Sequence, residues 1–551
     1  MRQRLELTWI GKENRPRLEP RILLEDPAIS YHAAHRVTDG DIYDNRLIFG
    51  DNLLALKALE QDFAGKVKCI FIDPPYNTGS AFEHYDDGVE HSLWLSLMRD
   101  RIDILRNLLS VEGSLWITLD DSEAHYCKVI CDELFGRANF LGNVIWEKSD
   151  SPRMDAEFFS VRHDHLLVYA KDRSKTTWNR IPVAEDQTPK HYDKLDESNR
   201  KYYLKPLRAM GGQGDSRATR PTLYYGIAAP DGTVVFPKRQ DGTDGAWRWN
   251  LTKVEKEKAR IDWVIGRNGW SPYYRIYADT GSGRPPETIW FHSDVGSNRT
   301  SKREIKDLFP ELVPFGTPKP ERLVQRVISV ASNAGDWVLD SFAGSGTTGA
   351  VAQKMDRRWI MVELGEQCHT HIIPRLRKVI DGADQGGITE ATDWNGGGGF
   401  RYYRLAPSLL EKDKWGQWVI SKEFNAEMLA EATCKLEGFT YAPSDTTYWQ
   451  HGRSTENDFI YVTTQQLSAD QLAQLDDEVG LHRTLLVLCA AFRIPKNGTD
   501  RYRNLTVKKI PKQVLSRCEW GHDDYSLNVN NLPKAPPPPP KTDTRGQIEL
   551  I

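Results

Sequence analysis

A strand, a glycine-rich turn and a helix follow one another in residues 337–363, and this unit constrains the fold most. Trp337-Val-Leu-Asp340 predicts a short buried strand, which leads into Ser341-Phe-Ala-Gly-Ser-Gly-Thr-Thr-Gly349 and then a helical stretch. Glycines let the backbone turn sharply near a ligand, and the first N–H groups of a helix are unpaired. A second strand, Trp359-Ile-Met-Val-Glu363, ends in an acid 19 positions after Gly344, where an acid can bind ribose hydroxyls. The pattern predicts an α/β fold that binds a nucleotide-like cofactor, and a nicotinamide cofactor is one alternative.

A second segment, Asp73-Pro-Pro-Tyr76, directly follows the apolar run Lys68-Cys-Ile-Phe-Ile. The Tyr76 ring can stack on a flat base, while Asp73 and the Pro74 carbonyl accept both hydrogens of an exocyclic amine. Holding both hydrogens frees the nitrogen lone pair for attack. Taken alone, the same residues also suit a tight X-Pro-Pro turn after a core strand.

Together, the two segments resemble the amino-methyltransferases that use S-adenosylmethionine. Asp73-Pro-Pro-Tyr76 matches their catalytic motif, and Phe342-Ala-Gly-Ser-Gly346 matches their cofactor loop. The catalytic motif comes first by roughly 270 residues, and this permuted order is typical of the beta group of DNA methyltransferases. The stretch from about residue 47 to 380, without its middle, most resembles the modification (Mod) subunit of type III restriction-modification systems.

The resemblance implies a reaction and a set of site residues. The reaction is methyl transfer from S-adenosylmethionine to adenine N6 in double-stranded DNA, after the base has been turned out of the duplex. Aspartate at the first motif position favours adenine, and cytosine N4 stays an alternative. No metal is implied. The implied catalytic residues are Asp73, Pro74, Pro75 and Tyr76. The implied cofactor-binding residues are Asp51, near the adenine, Glu363, on the ribose, and Thr317, Lys319, Pro320, Asp340, Phe342, Ala343, Gly344, Gly346 and Thr347.

The implied fold is an α/β, Rossmann-like methyltransferase with a mostly parallel sheet, an inserted target-recognition region and a small C-terminal α/β module. The predicted segments are an N-terminal arm (1–45), the catalytic half (46–170), the target-recognition insertion (171–286), the cofactor-binding half (287–394), the C-terminal accessory module (401–532) and a Pro-rich tail (533–551). Two local expectations accompany them: Asn395-Gly-Gly-Gly-Gly399 is a flexible boundary, and Ser122 caps the helix that ends near Phe135.

Positive charge is concentrated in the insertion. Residues 171–286 carry 22 Lys and Arg against 14 Asp and Glu, a net charge of +8, whereas the whole chain carries −4. The same stretch has 14 aromatic residues, among them Tyr224, Tyr225, Trp247 and Trp249. Basic side chains offset phosphate charge, and aromatic rings stack on bases or form the core of a small β-rich insertion. We expect both roles for the rings, and double-stranded DNA as the partner.

Composition and the remaining motifs limit the other possibilities. A charged fraction of 27% is typical of soluble globular proteins, and no apolar run reaches the roughly 18 residues needed to span a bilayer. Seven scattered cysteines predict a reducing cytoplasmic location. A homodimer and a restriction (helicase-nuclease) subunit are the expected protein partners. A DNA-binding specificity subunit with vestigial catalysis is the other hypothesis, and the intact Asp73, Tyr76, Gly344 and Glu363 argue against it.

Overall fold

The computed structural model describes residues 6–76, 87–182, 191–210, 214–266, 269–278, 283–312, 315–493, 502–510 and 518–526. The predicted Pro-rich tail lies outside these residues. The chain divides into two compact units, one formed by residues 180–286 and the other by the sequence on either side of it.

The elements are numbered in chain order. The strands are β1 (Leu23–Glu25), β2 (Tyr31–His32), β3 (Asn45–Phe49), β4 (Val67–Ile72), β5 (Leu109–Leu119), β6 (Phe140–Glu147), β7 (His163–Ala170), β8 (Lys194–Leu195), β9 (Lys201–Pro206), β10 (Ile227–Ala228), β11 (Val234–Val235), β12 (Ile261–Gly266), β13 (Gly269–Tyr277), β14 (Ile289–Trp290), β15 (Trp337–Asp340), β16 (Arg358–Glu363), β17 (Gly399–Leu405), β18 (Leu410–Lys412), β19 (Trp418–Ile420), β20 (Thr440–Tyr441), β21 (Gly452–Arg453), β22 (Asp458–Leu467), β23 (Thr484–Phe492) and β24 (Leu505–Lys509).

The α-helices are α1 (Asn52–Phe63), α2 (Asp87–Leu108), α3 (Ala124–Phe135), α4 (Leu251–Lys256), α5 (His292–Val295), α6 (Asn298–Leu308), α7 (Glu321–Ala331), α8 (Thr347–Lys354), α9 (Ile373–Ile380), α10 (Thr389–Thr392), α11 (Ala426–Glu437) and α12 (Ala469–Val479). A short π-helical turn, Cys368–Ile372, precedes α9. In the part of the chain that the structure describes, no helix combines the length and apolar character needed to cross a bilayer.

A mixed sheet with strand order β1-β17-β3-β16-β15-β4-β5-β7-β6-β14 forms the centre of the larger unit. The strands from β17 to β5 run parallel, as does the β6–β14 pair, whereas β7 is antiparallel to both of its neighbours. Every residue of β4 is buried, because helices cover both faces of a parallel sheet. Helices α1 to α3 pack on the face that Ile70 and Ile72 line, and α7 contacts β4 and β5. The predicted Rossmann-like α/β fold is confirmed.

Two local expectations were wrong. The boundary predicted at residue 401 falls inside β17, which pairs in parallel with β3 in the central sheet. The glycines before β17 form a packed turn, because a Cβ on Gly398 would lie 2.5 Å from the Ile42 carbonyl oxygen. Ser122 does not cap α3, whose N-cap is Glu123, and its hydroxyl bonds instead to Asp120 at 3.3 Å.

The smaller unit is β-rich, as its turn-rich composition predicted. An antiparallel sheet with order β12-β13-β9-β8 and the hairpin β10–β11 are its strands. Its core cluster contains Leu207, Trp247, Trp249 and Val254. Trp247 and Trp249 therefore belong to the core of this unit. For these two residues, the predicted role in the core of the insertion is confirmed.

The part of the chain that follows β17 builds a second sheet, with order β20-β21-β22-β23-β24. Strands β22, β23 and β24 are parallel, and α12 connects the first two. Ser468 caps α12 by accepting a bond from the Gln471 N–H, and Gln471 bonds back to the Ser468 N–H. Apolar side chains of α11 and α12 cover the sheet, which makes this part the small α/β layer that the sequence predicts.

Candidate active site

The two motifs meet at one edge of the central sheet. β4 and β15 are adjacent and parallel, with Ile70 opposite Leu339, so the segments that follow them leave the sheet at the same edge. Residues 73–76 follow β4, and the glycine turn follows β15. Both segments line one cavity of about 530 Å³, to which Tyr76 and Phe342 each contribute.

Most of the predicted site residues line this cavity. Pro320 and Gly346 do not: Gly346 precedes α8 with a φ of 77°, and a Cβ there would approach Ile372 at 3.1 Å. Pro320 precedes α7 and packs against Gly296. These two residues shape the helix starts behind the cavity, and the structure does not bring them to its surface. The predicted residues in the lining are Asp51, Asp73, Pro74, Pro75, Tyr76, Thr317, Lys319, Asp340, Phe342, Ala343, Gly344, Thr347 and Glu363.

The Tyr76 hydroxyl lies between two carboxylates. It is 3.2 Å from Asp73 Oδ1 and 3.2 Å from Asp164 Oδ2, and it can donate its single proton to one of them at a time. Burial first, and then these two charges, raise the pKa of Tyr76 well above its usual value. The Trp94 indole N–H donates to the Pro75 carbonyl at 2.9 Å and fixes the turn. Tyr76 is thus a neutral ring whose position is set from both sides.

Lys319, which the sequence analysis assigned to the cofactor, contacts the segment Asp73–Tyr76. Its ammonium forms an ion pair with Asp73 Oδ2, and it lies 5.4 Å from the centroid of the Tyr76 ring. Only 8% of the Lys319 side chain is exposed, against 21% for Asp73. A cationic N–H donor therefore already occupies one of the two acceptor oxygens of Asp73.

Asp340 organises the glycine turn. Its carboxylate accepts the Phe342 N–H at 2.9 Å and the Thr348 hydroxyl at 2.5 Å. Burial raises the pKa of Asp340 to about 7, and the charges of Asp73 and Glu363 add to this effect. Because burial makes ionisation of this carboxyl unfavourable, a cationic ligand bound beside it would stabilise its charged form.

Glu363 bridges the two backbone segments at the other side of the turn. Its Oε2 accepts the Gly344 N–H at 2.8 Å, and its Oε1 accepts the Gly365 N–H at 2.9 Å and the Gln367 amide at 2.7 Å. Gly344 adopts a φ of 54°, which favours glycine. Burial raises the pKa of Glu363 as well. Its binding to a ribose stays a prediction, which its place in the lining permits.

Asp51 connects the cavity to a distant part of the chain. Its Oδ1 caps α1 through the Leu53 and Leu54 N–H groups. Its Oδ2 accepts the Tyr525 N–H at 2.9 Å, and Ser526 joins the lining. The sequence did not indicate that residues 518–526 reach this site.

The sequence model of a protein family described as DNA methylase matches residues 67–374 of this chain, which include both motifs. The chain belongs to the DNA methylase family.

Two relatives of this chain are Mod subunits by name. A probable type III restriction-modification enzyme HindVI Mod subunit from Haemophilus influenzae is 31% identical over 68% of this chain and 55% of that protein. The type III restriction-modification enzyme StyLTI Mod subunit from Salmonella typhimurium is 32% identical over 55% of this chain and 49% of that protein. The chain thus spans about half the length of these relatives. A solved structure of a putative DNA modification methylase from Thermus thermophilus, complexed with S-adenosyl-L-methionine, is 17% identical and covers 62% of this chain and 98% of its own, with a TM-score of 0.30.

Two features of the site were not predicted from the sequence. The first is Asp164, which lies in β7. Its Oδ1 forms an ion pair with Lys148 Nζ at 2.6 Å, and its Oδ2 contacts the Tyr76 hydroxyl. Burial raises the pKa of Asp164, and Lys148 opposes that shift. An acid within the apolar run His163-Asp-His-Leu-Leu-Val-Tyr-Ala170 was the available signal, because a charge in a buried strand needs a partner.

The second is a buried ion network that supports the Lys319 segment from behind. Glu321 pairs with Lys354 at 2.9 Å and with Arg375 at 2.9 Å, and Lys354 also pairs with Asp384 at 2.7 Å. Glu321, Lys354 and Arg375 have side chains exposed by 2% or less. The network fixes the start of α7, and Lys319 lies two residues before that start.

The absence of a metal centre stays a prediction for this chain. Among the described residues, Asp121, His125 and His165 are the group whose ligand atoms lie within 4.8 Å of one another. His165 Nε2 is 2.8 Å from Asp121 Oδ1, and its Nδ1 is 2.9 Å from the Asn143 amide nitrogen. Hydrogen bonding accounts for these contacts.

Proposed function

We propose that this protein transfers a methyl group from S-adenosylmethionine to adenine N6 in double-stranded DNA. Its role is that of the modification and recognition subunit of a type III-like restriction-modification system. One observation carries this proposal: the base-binding motif around Tyr76 and the glycine turn around Phe342 line the same cavity.

The cavity fits the cofactor in size and charge. About 530 Å³ lies within the range of roughly 300 to 1,000 Å³ that is usual for ligand sites. Asp51, Asp340 and Glu363 give it acidic walls, and the Phe342 ring gives it an apolar one. This combination suits an adenosine that carries cationic groups. When bound, S-adenosylmethionine supplies a methyl group on a sulfonium, which is already activated for transfer.

The chain's own residues prepare the nucleophile. The Tyr76 ring offers a stacking surface for the extruded base, and Asp73 accepts a hydrogen from the amine. The Pro74 carbonyl accepts the other, which relieves delocalisation of the nitrogen lone pair. Asp73 then stabilises the positive charge that develops on nitrogen during attack. Lys319 has to leave Asp73 Oδ2 before the amine can take its place, so the ion pair holds this carboxylate in position until the base arrives.

The choice of adenine over cytosine rests on the resemblance. Aspartate stands at position 73, and the relatives that are Mod subunits belong to type III systems by name. Cytosine N4 carries the same kind of amine and is the alternative target. Digestion of methylated DNA to nucleosides, followed by mass spectrometry, distinguishes N6-methyladenine from N4-methylcytosine.

DNA recognition and assembly complete the proposal. The insertion at residues 171–286, with its net charge of +8, supports a DNA-reading role. The names of the Mod relatives support a restriction subunit as partner, and a homodimer in the cytoplasm remains part of the prediction. Size-exclusion chromatography with light scattering, with and without a duplex, tests the homodimer.

Transfer of a radiolabelled methyl group to plasmid DNA tests the reaction. We expect labelling by the wild-type protein, loss of labelling with Asp73→Ala, and full labelling with Asp477→Ala, which changes an exposed helix residue. Equal labelling by Asp73→Ala would remove the assigned role of Asp73. Sequence-specific binding to DNA without labelling would favour the specificity subunit instead.

A further inference from the structure

The loop between β6 and β7 exposes large apolar side chains. We call residues 148–162 the tongue. Met154 is 93% exposed, Phe158 is 85% exposed and Phe159 is 91% exposed. Single exposed apolar residues are ordinary on a protein surface, but these three lie within six consecutive residues. Burying each of them would be worth about 1.5 to 3 kcal/mol, so the tip of the tongue is suited to enter an apolar environment.

The base of the tongue is held in place. The Ser149 N–H donates to the Arg162 carbonyl at 3.3 Å, and the Arg153 N–H donates to the Ser160 hydroxyl at 2.6 Å. Arg299 pairs with Asp150 at 3.0 Å. The two hydrogen bonds join the arms of the loop below its tip, and the ion pair ties one arm to α6. The exposed rings are therefore presented by an ordered base.

The tongue leaves the sheet at the edge where the catalytic motif lies. β6 runs in the same direction as β4, because β7 is antiparallel to β5 and to β6. β6 is three strands away from β4, a distance of about 14 Å. Lys148, the first residue of the tongue, pairs with Asp164, and Asp164 contacts the Tyr76 hydroxyl. One ion pair therefore separates the tongue from the residue proposed to stack on the base.

The charge of the tip disfavours the sugar-phosphate backbone as its ligand. Residues 153–160 contain one arginine, Arg153, and two acids, Asp155 and Glu157. A net negative segment is repelled by phosphates. The interior of the base stack is apolar and uncharged, and Phe and Met side chains that enter it are a known means of deforming a duplex.

We propose that the tongue inserts Phe158 and Phe159 into the DNA stack and fills the gap that the extruded base leaves. This inference rests on the proposed function, because the gap exists only if the target base is turned out. Extrusion costs a few kcal/mol of stacking and pairing, and contact between an aromatic ring and the neighbouring bases restores part of it. Met154 packs beside the rings at the same gap.

The experiment uses the full chain and a duplex that contains the site methylated by the wild-type protein, mapped by sequencing a methylated plasmid. 2-Aminopurine at the target position reports extrusion by a rise in fluorescence. A second duplex places an abasic site opposite the target adenine, so that extrusion no longer breaks a base pair. The test variant is the double change Phe158→Ser and Phe159→Ser, and the control is Trp415→Ser, which alters a side chain that is 73% exposed elsewhere.

We expect the double variant to lose the fluorescence rise and to methylate the intact duplex about 10- to 100-fold more slowly, the equivalent of one lost ring–base stack. On the abasic duplex its methylation rate is lower than that of the wild type by about threefold or less, because without the base pair extrusion requires less free energy. Its affinity for S-adenosylmethionine and its thermal unfolding midpoint stay at wild-type values, as do all properties of Trp415→Ser.

If the double variant methylates both duplexes more slowly by the same factor, or methylates both at the wild-type rate, the inference is overturned while the proposed function stays intact. A double variant that extrudes the base normally but elutes as a smaller species would show that the tongue contacts a second protein copy instead. Failure of the wild-type protein to label any DNA would remove the proposed function, and the inference with it.

Discussion

Replacing Asp340 by Asn is expected to stabilise the protein and to weaken cofactor binding. Burial raises the pKa of Asp340 from 3.8 to about 7, so the folded state binds more protons than the unfolded state between these two values. Stability contributed by this group is complete below pH 3.8 and is lost as the pH rises to about 7. This shift lowers the free energy of unfolding by about 4 kcal/mol above pH 7 and by about 1.5 kcal/mol at pH 5.

Asparagine keeps the local contacts of Asp340 without its charge. Its carbonyl oxygen can accept the Phe342 N–H, and its amide can donate to the Thr348 hydroxyl oxygen, which reverses that bond. We therefore expect Asp340→Asn to raise the free energy of unfolding by up to about 4 kcal/mol at pH 8.5 and by less at pH 5. Urea unfolding followed by tryptophan fluorescence at both pH values measures the difference. The control, Asp477→Asn, changes an exposed residue and should behave as wild type.

The same substitution should remove the pH dependence of cofactor binding. In the wild-type protein, affinity for the cationic cofactor should rise as the pH passes through about 7, because Asp340 then becomes negative. In Asp340→Asn we expect weaker affinity and a flat profile between about pH 6 and 8, as measured by calorimetry. The reasoning is refuted if both proteins show the same pH dependence of unfolding, or if the variant is less stable at pH 8.5 than the wild type.

Three further predictions follow from the site and from the units. Tyr76→Ala should lower kcat/KM by about 10- to 100-fold through lost stacking and leave the cofactor Kd within about twofold of wild type. Tyr76→Phe keeps the ring, so its kcat/KM should fall less. A large rise in the cofactor Kd of Tyr76→Ala would contradict this prediction. Lys354→Met should lower the free energy of unfolding by about 3 to 5 kcal/mol, because Asp384 would keep a buried charge without this partner and Glu321 would keep only Arg375. Lys414→Met is the surface control, and equal unfolding midpoints of Lys354→Met and the wild type would refute the prediction. Exchanging residues 180–286 for those of a relative should change the methylated site, as read by long-read sequencing, and an unchanged site would place recognition elsewhere.

The sequence was sufficient for the features that are local in the chain. The buried run before Asp73 and the glycines after Asp340 each combine a strand with the turn that follows it, and a parallel sheet brings such turns to one edge. Helix α12 follows the same principle, because its Ser468 cap and its apolar residues are signals within one short segment.

What the sequence could not provide depends on contacts between distant residues. Lys319 pairs with Asp73 across 246 positions, and no local pattern marks that pairing. The glycine run before β17 has the composition of a flexible boundary, yet the surrounding backbone fits so closely around Gly398 that no side chain could replace its hydrogen. Composition describes the freedom of an isolated segment, whereas close packing in the folded protein removes that freedom.

The bond between Asp51 and Tyr525 ties residues that are 474 positions apart. One carboxylate thus serves both the first turn of α1 and a segment that lies far beyond the methylase sequence match. By thermodynamic linkage, a small molecule that favours the bonded arrangement of Asp51 must also favour attachment of residues 518–526, and the reverse must hold to the same degree. Slower hydrogen exchange at the Tyr525 amide on addition of S-adenosylmethionine would reveal that reciprocity, through a backbone group that takes no part in the chemistry.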